Sequence, residues 1–335
     1  MAPTPQQDSN LSLLARGWQG HATSFLDKHF KESVVLPHCD PARRAMLLSQ
    51  GADGAAWLTA VPSEPALTLE PLRAQVALRR RLRWPLPMSG GRCCPYCPGP
   101  LDAKGDRAAA CARSGRLKLR SRPLERTWAR ILREAGARVR ENFYLRNAGL
   151  PGVTSQDGRS IEIVASGLPL SQGVPLAVDA TLVSPLRGDG GPHPAAATHP
   201  GASLRRAEKA KERAYPELVG SSQLRLTTVA MEVGGRISPA ARHLLRVAAA
   251  ARARSEPQPL RPAAARRWLG RWKAILAVAA QRALAASLVD DGAGLLDGFD
   301  GTPPPAAELW AADGMAPDAE ADADAAPTVQ AGRGE

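Results

Sequence analysis

Between residues 123 and 233 the spacing of hydrophobic positions changes from helical to alternating and back. The stretch "PLERTWARILREAG" (123–136) repeats apolar residues three and four apart, opens on Pro123 and Glu125 and closes on Gly136, which is helix punctuation. Three runs rich in β-branched and apolar residues follow, "ARVRENFYL" (137–145), "RSIEIVAS" (159–166) and "VPLAVDATLV" (174–183), and their bounding turn residues mark them as strands. After a loop rich in Gly, Pro and His come a helix, "SLRRAEKAKERAYPEL" (203–218), and a strand, "LRLTTVAMEV" (224–233), ended by Gly234 and Gly235. The order α-β-β-β-α-β predicts an α+β domain.

Helical patterns flank this core. Upstream stand "LSLLARGWQGHATSFLDKHF", "DPARRAMLLSQ" with Asp40 placed to cap, and "PLRAQVALRRRLRWPLP". The last sets Val76, Leu78, Leu82 and Trp84 among Arg79, Arg80, Arg81 and Arg83; such a helix either lies on phosphates or is a core helix whose arginines snorkel. Downstream are "SPAARHLLRVAAAARAR" and "AAARRWLGRWKAILAVAAQRALAAS". The chain thus divides into a helical basic region (1–90), a Cys-rich segment (91–115), an α+β domain with C-terminal helices (120–289) and an acidic tail (290–335) expected to be disordered.

Charge sharpens this division. After residue 289 there are eleven acidic residues against the single Arg333, a net of −10; removing it from the chain's +12 leaves +22 on residues 1–289. An excess of that size suits a polyanion such as nucleic acid, and a solvated Arg-rich surface is the plainer alternative. The cysteines, Cys39, Cys93, Cys94, Cys97 and Cys111, are too few and too clustered for a disulfide framework. "MAPTPQQDSN" lacks a signal pattern, and arginines interrupt the most apolar helix, so an intracellular protein, nuclear or cytoplasmic, with no membrane partner is expected.

Asp179 interrupts an otherwise buried strand. Residues alternate faces along a strand, so Asp179 shares a side with Ala177, Thr181 and Val183, while Val178, Ala180 and Leu182 take the other. Both sides are largely apolar, which marks a central strand, and a carboxylate there needs a positive partner or a metal. Glu162 stands between Ile161 and Ile163 and points the way Val164 does, so pairing of the two strands would bring both acids together. Two carboxylates in one cleft require a cation, and Mg²⁺ with its preference for hard oxygen ligands is the natural one. On the following helix, Lys211 and Tyr215 fall on the stripe of Leu204, Ala207, Ala214 and Leu218, which aims the lysine at the sheet.

These pieces resemble, in order and spacing, the C-terminal part of non-LTR retrotransposon polyproteins with a restriction-like endonuclease of the PD-(D/E)XK superfamily. The resemblance covers about residues 50–290 and is carried by "GAAWLTAVPSE", "VALRRRLRWPLP", the cysteine cluster with "GDRAAACARSG", "IEIVASGLPL", "LAVDATLVSPL", "KERAYPEL" and "MEVGG". It implies a Mg²⁺-dependent nuclease that nicks DNA, a restriction-endonuclease-like αβββαβ core and a zinc-binding segment just upstream. It places the second catalytic acid on Asp179, the lysine on Lys211 within K-x-x-x-Y with Tyr215, and the first acid on Glu162, where the superfamily more often has Asp after Pro. Asp157 is the alternative first acid, and Glu232 an accessory one. For Zn²⁺ it offers Cys94, Cys97 and Cys111, with Arg107 where a histidine is expected; arginine cannot ligate zinc, which leaves Cys93 or another residue to close the set. The catalytic box of a reverse transcriptase is missing, since Asp290–Asp291 has no aromatic partner.

Three functions therefore stand side by side. One is an endonuclease, one a remnant that binds DNA or element RNA without cleaving it, and one an interaction protein whose Trp268, Trp272, Ile275 and Leu276 pack on a partner.

Overall fold

The strand that carries Asp179 becomes an inner strand of a mixed sheet in the computed structural model, which describes residues 18–86, 93, 100–111, 116–169 and 173–289. The sheet order is β1 (Arg138–Tyr144), β2 (Ser160–Ser166), β3 (Leu176–Val183) and β4 (Arg225–Glu232). β1 and β2 pair antiparallel, as do β2 and β3 with Ile163 opposite Val178; β3 and β4 run parallel with Asp179 opposite Thr228. Eight α-helices complete the α+β architecture of the described residues: α1 (Trp18–Phe30), α2 (Pro41–Leu48), α3 (Pro71–Leu82), α4 (Asp106–Ala110), α5 (Arg116–Glu134), α6 (Ala202–Ala214), α7 (Pro239–Ala253) and α8 (Arg261–Val289). The predicted α-β-β-β-α-β order is present as α5, β1, β2, β3, α6, β4.

Two compact units are separable. In the first, α1 runs on into a π-helical turn (Lys31–Val35) and exposes Phe25, Leu26, Phe30 and Val34. The second takes in the described residues from Cys39 onward. Its main core lies between α5 and one face of the sheet: Leu124, Trp128, Ile131 and Leu132 meet Ile163, Ala165, Val178, Ala180 and Leu182. The other face carries a smaller cluster with Val164, Ala177, Leu145, Leu218 and Leu224. Trp268, Trp272, Ile275 and Leu276 of α8 are all buried in the main core, so they are packing residues of this chain and not an exposed partner surface.

A buried ion network locks α8 to α5. Arg130 donates to Glu134 (2.8 Å) and to both oxygens of Glu64 (3.0 and 3.2 Å), Arg271 donates to Glu64 (2.9 Å), and the Trp272 indole donates to Glu134 (2.6 Å). Glu134 is fully buried, and its two oxygens are shared between a guanidinium and an indole, which is the satisfaction that such a group requires.

Local departures from the sequence pattern have physical causes. α5 starts at Arg116, seven residues before Pro123, and the proline sits inside it; the Thr127 hydroxyl donates to the Pro123 carbonyl (2.7 Å). α6 ends at Ala214 instead of Leu218, because Pro216 pushes Tyr215 out of the helical region (φ −132°, ψ 58°), and Ala214 is exposed. The α3 pattern is inverted in part: Arg73 and Arg80 are buried beside Val76 and Ala77, while Leu78, Leu82 and Trp84 are exposed. Arg80 and Arg83 both bond Asp106 (3.2 Å; 2.8 and 2.6 Å), and Arg81 donates to the Gly54 carbonyl (2.9 Å), so these arginines serve packing and not solvent. The acidic tail and the pair Cys94 and Cys97 lie outside the described residues.

The Gly234–Gly235 turn is where the N-terminal segment meets the sheet. Gly235 has φ +102°, and a Cβ there would stand 2.5 Å from the Gly54 Cα. Gly136 also has a left-handed φ (+91°) but open space around it. Gly136→Ala should therefore cost about 1 kcal/mol from backbone strain alone. Gly235→Ala, which adds a backbone clash, should cost clearly more in urea denaturation; equal losses would mean that the turn and the segment do not touch.

Candidate functional site

β2 and β3 pair with Ile163 opposite Val178, which sets Glu162 across from Asp179 on the face covered by α6. Lys211, near the C-terminal end of α6, reaches down between them. Its Nζ lies 2.7 Å from Asp179 Oδ2 and 4.0 Å from Glu162 Oε1. Asp179 has no exposed side-chain surface, whereas Lys211 and Glu162 are 28% and 23% exposed, so the site opens to solvent past the lysine and the glutamate.

Electrostatics follow from this burial. Loss of solvent, then the neighbouring charge of Asp179, pushes the Glu162 carboxyl up to about 8, with Lys211 opposing. Burial raises Asp179 too, against the pull of the ammonium. Burial alone would lower Lys211, but the contact with Asp179 and the charge of Glu162 raise it on balance. The two carboxyls titrate as a pair, and the ammonium in contact with Asp179 favours the charged form there more than on Glu162. Glu162 Oε2 and Asp179 Oδ1 are buried oxygens with no hydrogen-bond partner.

Tyr215 holds the helix end that presents Lys211. Its amide donates to the Lys211 carbonyl (2.9 Å), and its hydroxyl donates to the Ser160 carbonyl at the start of β2 (3.2 Å). Burial raises the Tyr215 hydroxyl, which keeps it a donor. Arg159 lies over its ring, 5.9 Å from the centroid, and donates to the Ala214 carbonyl (2.6 Å). The same guanidinium takes up Asp157 (2.7 Å) and Glu217 (2.9 Å), so Asp157 is bound into a surface ion pair and not into the pocket.

Glu232 is also elsewhere. It pairs with Val183, four residues along the strands from the Asp179–Thr228 pair, about 13 Å away at strand spacing. It is buried at the end of β4, and burial pushes it up to about 7 against the opposing charge of Arg236, 3.7 Å away, and the Ser203 hydroxyl. Glu125 is the residue that the sequence pattern hides. As a helix-start acid it carries no site signal, yet in the fold α5 continues past it and Glu125 feels both Asp179 and Lys211, with burial and then the Ser121 hydroxyl (2.6 Å) as the larger influences on its raised carboxyl.

Of the cysteines, Cys111 is buried at the end of α4 and Cys93 is exposed. Arg107 points its guanidinium at the Gly188 carbonyl (3.5 Å). Among the described residues no group of three or more His, Cys, Asp or Glu is arranged to hold a metal ion, and no helix is long and apolar enough to cross a membrane.

A raised carboxyl fixes the sign of a pH effect. Between about 4.5, its unfolded value, and about 8, the folded chain keeps a proton on Glu162 that the unfolded chain releases. Stability from this group is complete below the lower value and is lost as pH rises through the upper one. Glu162→Gln should therefore match the wild type in melting temperature near pH 5 and exceed it progressively toward pH 9; parallel pH profiles for the two proteins would show that Glu162 does not carry the proton.

No family model matches the chain, and no curated protein matches it either. The chemistry of the site thus follows from its residues and their geometry.

Proposed function

We propose that Glu162, Asp179 and Lys211 are the centre of a divalent-metal-dependent DNA endonuclease of retroelement origin, built on a restriction-endonuclease-like PD-(D/E)XK core. The observation that carries it is the convergence of two strand carboxylates and one helical ammonium, 2.7 and 4.0 Å apart, at a site with a solvent opening. The order α5-β1-β2-β3-α6-β4 is the order that such a core has.

The donor set fits Mg²⁺. Glu162 Oε2 and Asp179 Oδ1 are hard oxygens, buried and without hydrogen-bond partners, and one or two carboxylates are what Mg²⁺ takes from a protein when phosphate oxygens and waters complete its shell. When bound, the ion supplies charge stabilisation to a phosphodiester under attack. Lys211 donates to a non-bridging phosphate oxygen and so stabilises the charge that develops there. Tyr215 keeps the end of α6 on β2 and thereby sets the reach of the lysine. The positive excess outside the tail draws in DNA, or element RNA, through its phosphates without reading bases. Such a protein works in the nucleus or cytoplasm. Cys94, Cys97 and Cys111 would bind Zn²⁺ in the segment upstream.

A second function, nucleic-acid binding without cleavage, is favoured by one observation. Lys211 is closed directly onto Asp179, and a third acid ligand of the kind that completes a metal cluster is missing among the described residues.

Nicking of supercoiled plasmid in a Mg²⁺ titration separates the two. The nuclease requires activity that Asp179→Asn lowers by at least about a hundredfold, with the fold retained. Salt-sensitive binding with no nicking under any divalent metal would leave only the second function, and full activity in Asp179→Asn would reject the site.

A further inference from the structure

β4 is the last strand of the sheet, and only part of its outer edge is covered. The Arg225 amide donates to the Pro175 carbonyl (3.0 Å) and the Val233 amide to the Val183 carbonyl (2.9 Å), so odd-numbered residues turn their backbone groups to β3 and even-numbered ones turn theirs outward. Toward the C-terminal end the returning chain meets this edge. There the Ser238 amide donates to the Ala230 carbonyl (2.9 Å), the Glu232 amide to the Arg236 carbonyl (2.8 Å), and the Ser238 hydroxyl to the Thr228 carbonyl (3.4 Å). Toward the N-terminal end, the N–H and C=O of Leu226 and the N–H of Thr228 have no partner among the described residues. These groups form the floor of a cavity of about 670 Å³ between α6 and α7.

The two walls differ. α6 contributes Glu208 and Glu212, one helical turn apart; burial raises the Glu208 carboxyl, opposed by the Ser238 hydroxyl and the charge of Arg205. α7 contributes Ala240, His243 and Leu244, with Leu176 beneath. His243 and Arg225 are the basic groups that line the groove, and neither belongs to the α6 wall. Two acids are set here against the sign of a chain with a net charge of +12. Because α6 is the crossover between two parallel strands, it runs alongside them. Four helical residues rise about 6.0 Å and two strand residues about 6.6 Å, so alternate side chains of an added strand would meet Glu208 and Glu212 in turn. The residue between them would face Ala240 and Leu244.

We infer that this groove binds an extended segment of another protein as a fifth strand beside β4, with basic residues at two alternate positions and an apolar residue between them. The backbone of the segment pairs with Leu226 and Thr228, its basic side chains meet Glu208 and Glu212, and its apolar side chain packs on Leu244. This activity is independent of the nuclease proposal, because it uses neither Glu162 nor Asp179 nor Lys211.

Titration calorimetry of the full chain with the blocked hexapeptide Thr-Lys-Val-Lys-Val-Thr, beside its Thr-Glu-Val-Glu-Val-Thr counterpart, tests this. The lysine peptide should bind at least about tenfold more tightly, and Glu208→Lys/Glu212→Lys should reverse the order. Leu226→Pro removes an outward N–H at an edge position where proline is tolerated, and it should weaken the lysine peptide by about tenfold or more with the near-ultraviolet dichroism unchanged. In the unaltered protein the Leu226 and Thr228 amides should exchange more slowly with the lysine peptide bound, a readout that does not depend on any variant folding. The inference is overturned by equal affinity for the two peptides, by no binding of the lysine peptide, by unchanged exchange at both amides, or by self-association in sedimentation that the peptide fails to compete, which would make a second copy of this chain the occupant.

Discussion

A fully buried carboxylate at the middle of the sheet is the constraint on which this structure turns. Asp179 cannot remain there ionised without a cation in contact, and the cation comes from a helix residue 32 positions later in the chain rather than from a neighbouring strand. The contact ties α6 to the inner strand of the sheet. Tyr215 and Arg159 secure the end of α6 on β2, and Glu208 and Glu212 of the same helix supply the acid wall of the β4 groove. Breaking the ion pair by removing the lysine would leave Asp179 as an uncompensated buried charge, a far larger penalty than any surface pair carries.

The arginines divide into two populations with different work. Those of α3, together with Arg130, Arg271 and Arg282, reach carbonyls and carboxylates inside the second unit and join the N-terminal helices to α8. Their charge is spent on internal hydrogen bonds, so the net charge of the chain overstates what its surface offers to a polyanion. The Gly234–Gly235 turn adds a steric reason for the same joint: it lies against Ser49 and Gly54 so closely that neither glycine can carry a side chain without displacement. The "GAAW" and "MEVGG" pieces, far apart in the chain, are two sides of this single contact.

Much of the core was legible because it rests on local periodicity. The near-continuous apolar run of residues 174–183 and the isolated Glu162 and Asp179 are enough to expect two inner-facing acids, and the strand register then brings them opposite each other. Lys211 was legible as a cation on a core-facing stripe. What the pattern missed depends on tertiary partners. Leu78 and Leu82 point outward because Asp106 and backbone carbonyls draw Arg80 and its neighbours inward, and no local rule encodes that inversion. Glu125 reads as a helix-start residue because Pro123 reads as a boundary, whereas the helix begins at Arg116 and absorbs the proline. Asp157 is close to β2 in sequence but has Arg159 two residues away, and the nearer partner wins.

The contact between Arg236 and the Leu48 carbonyl (2.9 Å) joins residues 188 positions apart, and it seals the end of the parallel β3–β4 pair. During synthesis the helices that precede the sheet leave the ribosome long before the strand and turn that they pack against, and the last core helix follows later still. The second unit consequently cannot close piece by piece from its N-terminus. Its assembly waits on distant segments, and the early helices must stay unaggregated, with their apolar and arginine faces unmatched, until the chain beyond residue 236 arrives.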